Sequence, residues 1–190
     1  MTYLVLGLVK FLGIHLVGAV GLRDRMVGIL GENPWKGLYS LISFLGLGLI
    51  VFGYGQARAA PVVVWVPPVG MQHAALTLML PVFPLLAATY LPGRLSRWSG
   101  GHPMLVGTVL WGLAHVLANG MLHDVLLFSG FLGWALVVRL SFLRRPPRDI
   151  PRAPEAGYND VIAVVGGLVL YGITLGGTHQ WLFGVSPLPR

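Results

Sequence analysis

Six histidines and no cysteine set the chemistry open to this 190-residue chain. Without thiols there are no disulfides, thiolate metal sites, iron–sulfur ligands or cysteine nucleophiles. Two histidines stand inside apolar runs, His15 in Phe11-Leu12-Gly13-Ile14-His15-Leu16 and His115 in Trp111-Gly112-Leu113-Ala114-His115. Ionisable groups at membrane depth are expensive and mark functional sites by default. Helical spacing aligns Gly7, Phe11, His15 and Gly18 on one face, and Thr108, Gly112, His115 and Asn119 on another. Such stripes of small and polar residues suit close helix contact or the lining of a site. Two readings stay open at this point. Each imidazole makes an interhelical hydrogen bond, or the pair ligates the iron of a haem b buried in an apolar cleft. Lys10 either snorkels outward or meets an anionic group such as a haem propionate. Trp111, one turn before His115, is the aromatic candidate beside that cofactor.

The remaining polar residues offer less. His73, His123 and His179 fall toward one side of the chain's expected topology, where a Zn or Cu site with Asp124 is an alternative. No histidine pair has the HxxxH spacing that would support it. His73 and His123 are expected at an interface or a helix cap, and Asp124 at the cap of the fifth apolar helix. His179 is expected in a structural role facing Tyr171 and Thr178. Gly31-Glu32-Asn33-Pro34 reads as a loop, and no GxGxxG, GxSxG or phosphate-loop motif occurs.

The elements that must position these residues follow from composition. The chain is 55% hydrophobic and 10% charged, with a mean hydropathy of +0.77. Soluble domains carry about 25% charged residues, so the fold class expected is an all-α polytopic membrane bundle with the lipid bilayer as its partner. Six spans are expected: about 2–20, 38–54 (after a Pro34-Trp35 turn), 73–90 (kinked at Pro81 and Pro84), 103–118, 125–140 and 161–183. The first lacks the basic start and cleavage site of a signal peptide. Residues 60–70 are too short to span and are expected at the interface. Residues 1–190 are expected to form a single transmembrane domain.

Ten basic residues (Arg23, Arg25, Lys36, Arg94, Arg97, Arg139, Arg144, Arg145, Arg148 and Arg152) fall in the odd-numbered loops, against Arg58 and Arg190 on the other side. This bias expects the odd loops in the cytoplasm and both termini outside. It accounts for the net charge of +7 without nucleic-acid binding, for which no basic stripe interleaved with aromatics is present. The basic, proline-rich run Arg144–Arg152 reads as an exposed loop near anionic headgroups. On this topology His15 lies roughly 10 Å and His115 roughly 19 Å from the cytoplasmic side, at 1.5 Å per helical residue.

Several stretches resemble the NnrU family of bacterial membrane proteins. They are Gly37-Leu38-Tyr39-Ser40-Leu41-Ile42-Ser43, Val51-Phe52-Gly53-Tyr54-Gly55, Tyr90-Leu91-Pro92-Gly93-Arg94, His102-Pro103-Met104 and Leu113-Ala114-His115-Val116-Leu117-Ala118-Asn119-Gly120. The resemblance is strongest over residues 6–142. It implies an inner-membrane protein associated with denitrification, near nitrite and nitric oxide reductases or electron-transfer partners, either as a haem protein or as an accessory factor. The family is in turn similar to 15-cis-zeta-carotene isomerase, an integral membrane haem b enzyme acting on a lipophilic polyene. That similarity implies axial iron ligands at His15 and His115, and as an alternative function a haem-dependent cis–trans isomerisation of lipophilic polyenes. Gly112 stands where the isomerase carries an alternative thiolate ligand, so a thiolate switch is closed to this chain. His102-Pro103-Met104-Leu105-Val106-Gly107 also resembles the Arg-His-Pro-x-x-x-Gly stretch of isoprenylcysteine-type membrane methyltransferases, although Gly101 replaces the arginine and the paired glutamates are missing. His102 then reads as a helix-start residue.

Overall fold

A computed structural model describes residues 1–145 and 150–188. Pro146, Pro147, Arg148 and Asp149 of the expected basic loop, and Arg190 of the charge count, lie outside the described residues. The chain divides into two compact units, residues 1–65 with 121–146 and residues 66–120 with 147–190.

In the first unit, α1 (Thr2–Leu16), α2 (Arg23–Leu30), α3 (Glu32–Ala59) and α8 (Leu122–Ser141) pack together, with α1 against α3 as the main contact. Glycine explains that contact. A Cβ on Gly53 would strike the backbone of Leu4, one on Gly7 the backbone of Ile50, and one on Gly46 the backbone of Phe11. As numbers rise along α1 they fall along α3, so the helices run antiparallel with their backbones touching. Small residues permit such an approach where no hydrophobic force drives association between helices in lipid. Leu4, Leu8 and Ile50 fill the seam, with Leu126, Leu127 and Phe131 of α8 packed against it.

Three local readings are corrected here. The first helix stops at Leu16 rather than Val20, and the chain turns at Gly21, whose φ of 76° favours glycine. Pro34 and Trp35 make no turn. They lie in the first turn of α3, where proline removes no helical hydrogen bond. The segment 31–34 is thus a helix start, on which Glu32 takes Arg23 at 2.7 Å and Lys36 at 3.4 Å. Residues 60–65 run extended, and Val62 O accepts from Leu122 N at 2.8 Å.

In the second unit, α4 (Val69–Met79), α5 (Val82–Ala88), α6 (Arg94–Trp98), α7 (Pro103–Ala118) and α9 (Asn159–Ile173) are followed by a π-helical turn (Thr174–Thr178) and α10 (His179–Phe183). The expected kink appears as the break between α4 and α5 at Pro81. Across that break the Leu80 amide turns to Thr77 O, and the Tyr171 hydroxyl donates to Leu76 O at 2.8 Å. Neighbouring side chains commonly satisfy carbonyls at such a break. The backbone of Pro84 fills the place a side chain on Gly167 would need, so α5 and α9 also meet at backbone distance.

The chain is all-helical in its regular elements. Among the described residues, four helical stretches are long and apolar enough to cross a membrane, 32–59, 69–88, 122–141 and 159–183. Two shorter apolar helices, Thr2–Leu16 and Pro103–Ala118, occupy the first and fourth expected spans.

Candidate functional site

His15 lies in the last turn of α1, half-buried in the first unit. Its Nδ1 is 2.6 Å from the carbonyl of Phe11, four residues back. A carbonyl only accepts, so Nδ1 carries the proton and Nε2 is the basic nitrogen. Around the ring stand Phe11 at 4.4 Å, Tyr39 of α3 at 5.2 Å and Trp134 of α8, edge-on at 6.3 Å. Buried polar atoms without partners occur nearby in sequence and space: Trp134 Nε1 in the cage, and Ser43 Oγ one turn along α3 from Tyr39. Orphans of this kind are rare and point to a missing partner. Lys10 is exposed on the same helix.

His115 repeats the local device in the second unit. Its Nδ1 is 2.8 Å from the carbonyl of Trp111, again four residues back, and the Trp111 ring lies 5.2 Å away. The expected stripe on α7 is present. Thr108 donates back to Met104 O, while Asn119 Nδ2 donates to His115 O at 2.8 Å and helps close the helix end. His115 and Asn119 line a half-open cavity of about 160 Å³, with Gln72 and Leu76 of α4 and with His179 and Ser186. His179 thus faces His115 rather than standing only among Tyr171 and Thr178. The two rings are 6.5 Å apart and 26° from parallel.

A third polar group differs in kind. The Tyr54 hydroxyl donates to Asp124 Oδ1 at 2.5 Å, and His123 Nε2 lies 3.6 Å from Asp124 Oδ2. His123 is 4% and Asp124 7% exposed, and His123 Nδ1 has no partner. His123 is therefore not a surface residue. Asp124 makes no side-chain cap on α8, because its carboxylate is already held across the unit by Tyr54. His73 is exposed on α4, and His102 stands at the N-cap of α7, as a helix-start residue should. Among the described residues no three of His, Cys, Asp and Glu converge on one point.

One positioning device was missed by sequence reasoning. Asp160 accepts the amides of Arg94 and Leu95 at 2.8 and 2.9 Å, filling the space beside Gly93. Asn159, 2% exposed, donates to Pro92 O and Pro154 O. The Tyr90-Leu91-Pro92-Gly93-Arg94 stretch is thus a docking point for the start of α9. Its signal in retrospect is an Asn-Asp pair heading an apolar helix.

Apolar helices long enough to cross a membrane, and histidines anchored on backbone carbonyls of apolar helices, give the chain the character of a helical membrane protein. The chain belongs to the NnrU family: the match, to a family described as NnrU protein, covers residues 3–187, nearly its whole length and well beyond 6–142. No curated protein and no solved structure matches it.

Proposed function

We propose that this NnrU-family chain is a haem b-binding integral membrane protein serving nitrite and nitric oxide metabolism, with His115 and His15 as its candidate iron ligands. The observation that carries the reading is the shared Nδ1 anchorage of the two helix-borne imidazoles on Phe11 O and Trp111 O. Metal-bound histidines almost always give their other ring N–H to a carbonyl or carboxylate, which fixes the tautomer and raises the basicity of the ligating nitrogen. The residues fit such a group. Both present Nε2 as the basic nitrogen, and both lie beside aromatic rings. The orphaned Trp134 Nε1 offers a donor next to His15. When bound, haem would supply a one-electron redox centre.

The protein's own part is to hold the imidazoles in orientation, to shield them, and to counter charge. Lys10 is the cation available to a propionate, and Trp111 is the ring that packs beside the His115 ligand. The remaining parts of the reading are six crossings with basic odd loops in the cytoplasm of a bacterial inner membrane, and a reductase or electron-transfer partner. They rest on the charge bias and on family membership.

Absorption spectra of the detergent-purified protein, oxidised and reduced, test the reading. A haem spectrum that His115→Ala abolishes or shifts, and His73→Ala leaves alone, is expected. Protein that stays colourless after haem supplementation defeats the proposal.

A further inference from the structure

The second unit contains a pair of imidazoles that neither family membership nor sequence spacing assigns. His115 and His179 are 64 positions apart, yet line one cavity with their ring centres 6.5 Å apart. Each has Nδ1 on a backbone carbonyl, His115 on Trp111 O and His179 on Val185 O, both at 2.8 Å. Both therefore present Nε2 as the basic nitrogen. The chain departs from regular helix to bring His179 there. A π-helical turn at Thr174–Thr178, with Gly177 at a φ of 142°, precedes it, and the tail returns so that Val185 and Ser186 close the cavity. Metal–imidazole bonds of about 2.0–2.1 Å place two rings sharing one ion with centres at most about 6 Å apart. The observed 6.5 Å is close to that spacing.

We propose that His115 and His179 are two imidazole ligands of one borderline transition-metal centre. The proposal rests on His115 as the ligand named above and adds His179 as a second imidazole at the same cavity. Imidazole suits iron, copper, nickel and zinc. The cavity has room for several waters or a hydrated ion, and a porphyrin would reach beyond it through its open side. The shared chemistry is bis-imidazole coordination, supplied either by haem iron or by a bare divalent ion.

Two arms separate these sources in detergent-purified full-length protein. In the first, haem-loaded wild type, His179→Ala, His179→Gln and His73→Ala are compared by absorption and electron paramagnetic resonance. The expected result is a low-spin bis-imidazole signal that both His179 variants convert to high spin and His73→Ala does not. In the second, haem-free protein is titrated with Cu²⁺. The expected result is a signal split by two nitrogens in wild type, with one nitrogen and at least tenfold weaker binding in the His179 variants, and no change in His73→Ala. Circular dichroism and elution volume establish that each variant is folded. If wild type takes no haem, the haem reading falls and the copper arm alone decides the pair. If the His179 variants match wild type in both arms, if neither arm binds metal, or if His73→Ala removes the copper signal, the His115–His179 site is overturned.

Discussion

The two units use opposite means to hold polar chemistry among apolar helices. The first is built on regular helices whose backbones touch through Gly7, Gly46 and Gly53. Its polar groups are enclosed: Tyr54, Asp124 and His123 satisfy much of one another's bonding, and His15 sits in a cage of rings. The second is built on interrupted helices, broken at Pro81 and loosened at Thr174–Thr178, and its histidines line a half-open cavity. His15 and His115 share the same local hydrogen bond, so the bond alone does not set their roles. Their surroundings do. An imidazole in an aromatic cage is set among rings, whereas one lining a half-open cavity stands beside space that a small ligand could enter. Regularity serves the scaffold, and irregularity serves access.

The largest effect that would break this comparison is expected at the glycine seam. Gly53→Leu puts a side chain where the backbone of Leu4 stands. Overpacking costs about 1–3 kcal/mol when side chains can yield and more when they cannot, and here a whole helix must move. Loss of a folded first unit is expected, read as a collapsed melting transition in detergent and rapid proteolysis. Gly13→Ala is the matched control, since nothing lies within 4 Å of a Cβ there. Its effect should be neutral or a gain of up to about 1 kcal/mol from helix propensity. Equal melting of Gly53→Leu and wild type would show that the backbone contact is not what holds α1 to α3.

Next in size is the enclosed carboxylate. Asp124→Ala strands the Tyr54 hydroxyl in the first unit, and a buried group left without its partner costs about 1–3 kcal/mol. Asp124→Asn keeps an acceptor and should recover most of that loss. Neither should alter the absorption of a haem- or copper-loaded protein. A spectral change in Asp124→Asn would move this cluster from scaffold to site and erase the contrast between the units.

A smaller effect is expected at Asp160. Asp160→Ala removes the acceptor of the Arg94 and Leu95 amides in the second unit. Replacing capping acceptors costs about 0.5–2 kcal/mol, and Asn159 would still tie Pro92 and Pro154 to α9. Hydrogen exchange should therefore rise at Arg94 and Leu95 and stay near wild type along α7. Unchanged exchange at those two amides would mean that the docking is carried by Asn159 alone.

What could be read from the sequence follows the range of the forces involved. Apolar runs and the Pro81 break are local, and they marked the helices to within a few residues. Pro103 fixed the start of α7 for the same reason. Pro34 misled because proline breaks helices only beyond their first turn. His15 and His115 stood out because charge is scarce in apolar segments, and their i–4 carbonyl bonds need no distant partner. The pairings of His179 with His115, Tyr54 with Asp124 and Asp160 with Gly93 join residues more than sixty positions apart. No periodicity encodes them. The π-helical turn was hidden for a further reason: Gly176-Gly177 in an apolar run reads equally as close helix packing.

The smallest expected effect probes how far the second unit depends on its interruptions being re-satisfied. Tyr171→Phe removes only the hydroxyl that donates to Leu76 O beside the break between α4 and α5. Hydrogen bonds between membrane helices average about 0.6 kcal/mol in double-mutant cycles, so a shift of one or two degrees in melting is the expected outcome. Leu76 also lines the cavity with His115 and His179. The substitution should therefore show more in copper or haem ligand exchange than in stability, because a looser α4 widens the cavity without unfolding the unit. Faster exchange with near-native melting would tie the broken helix to access. A large loss of stability with unchanged exchange would make Tyr171 part of the scaffold and the break an ordinary packing feature.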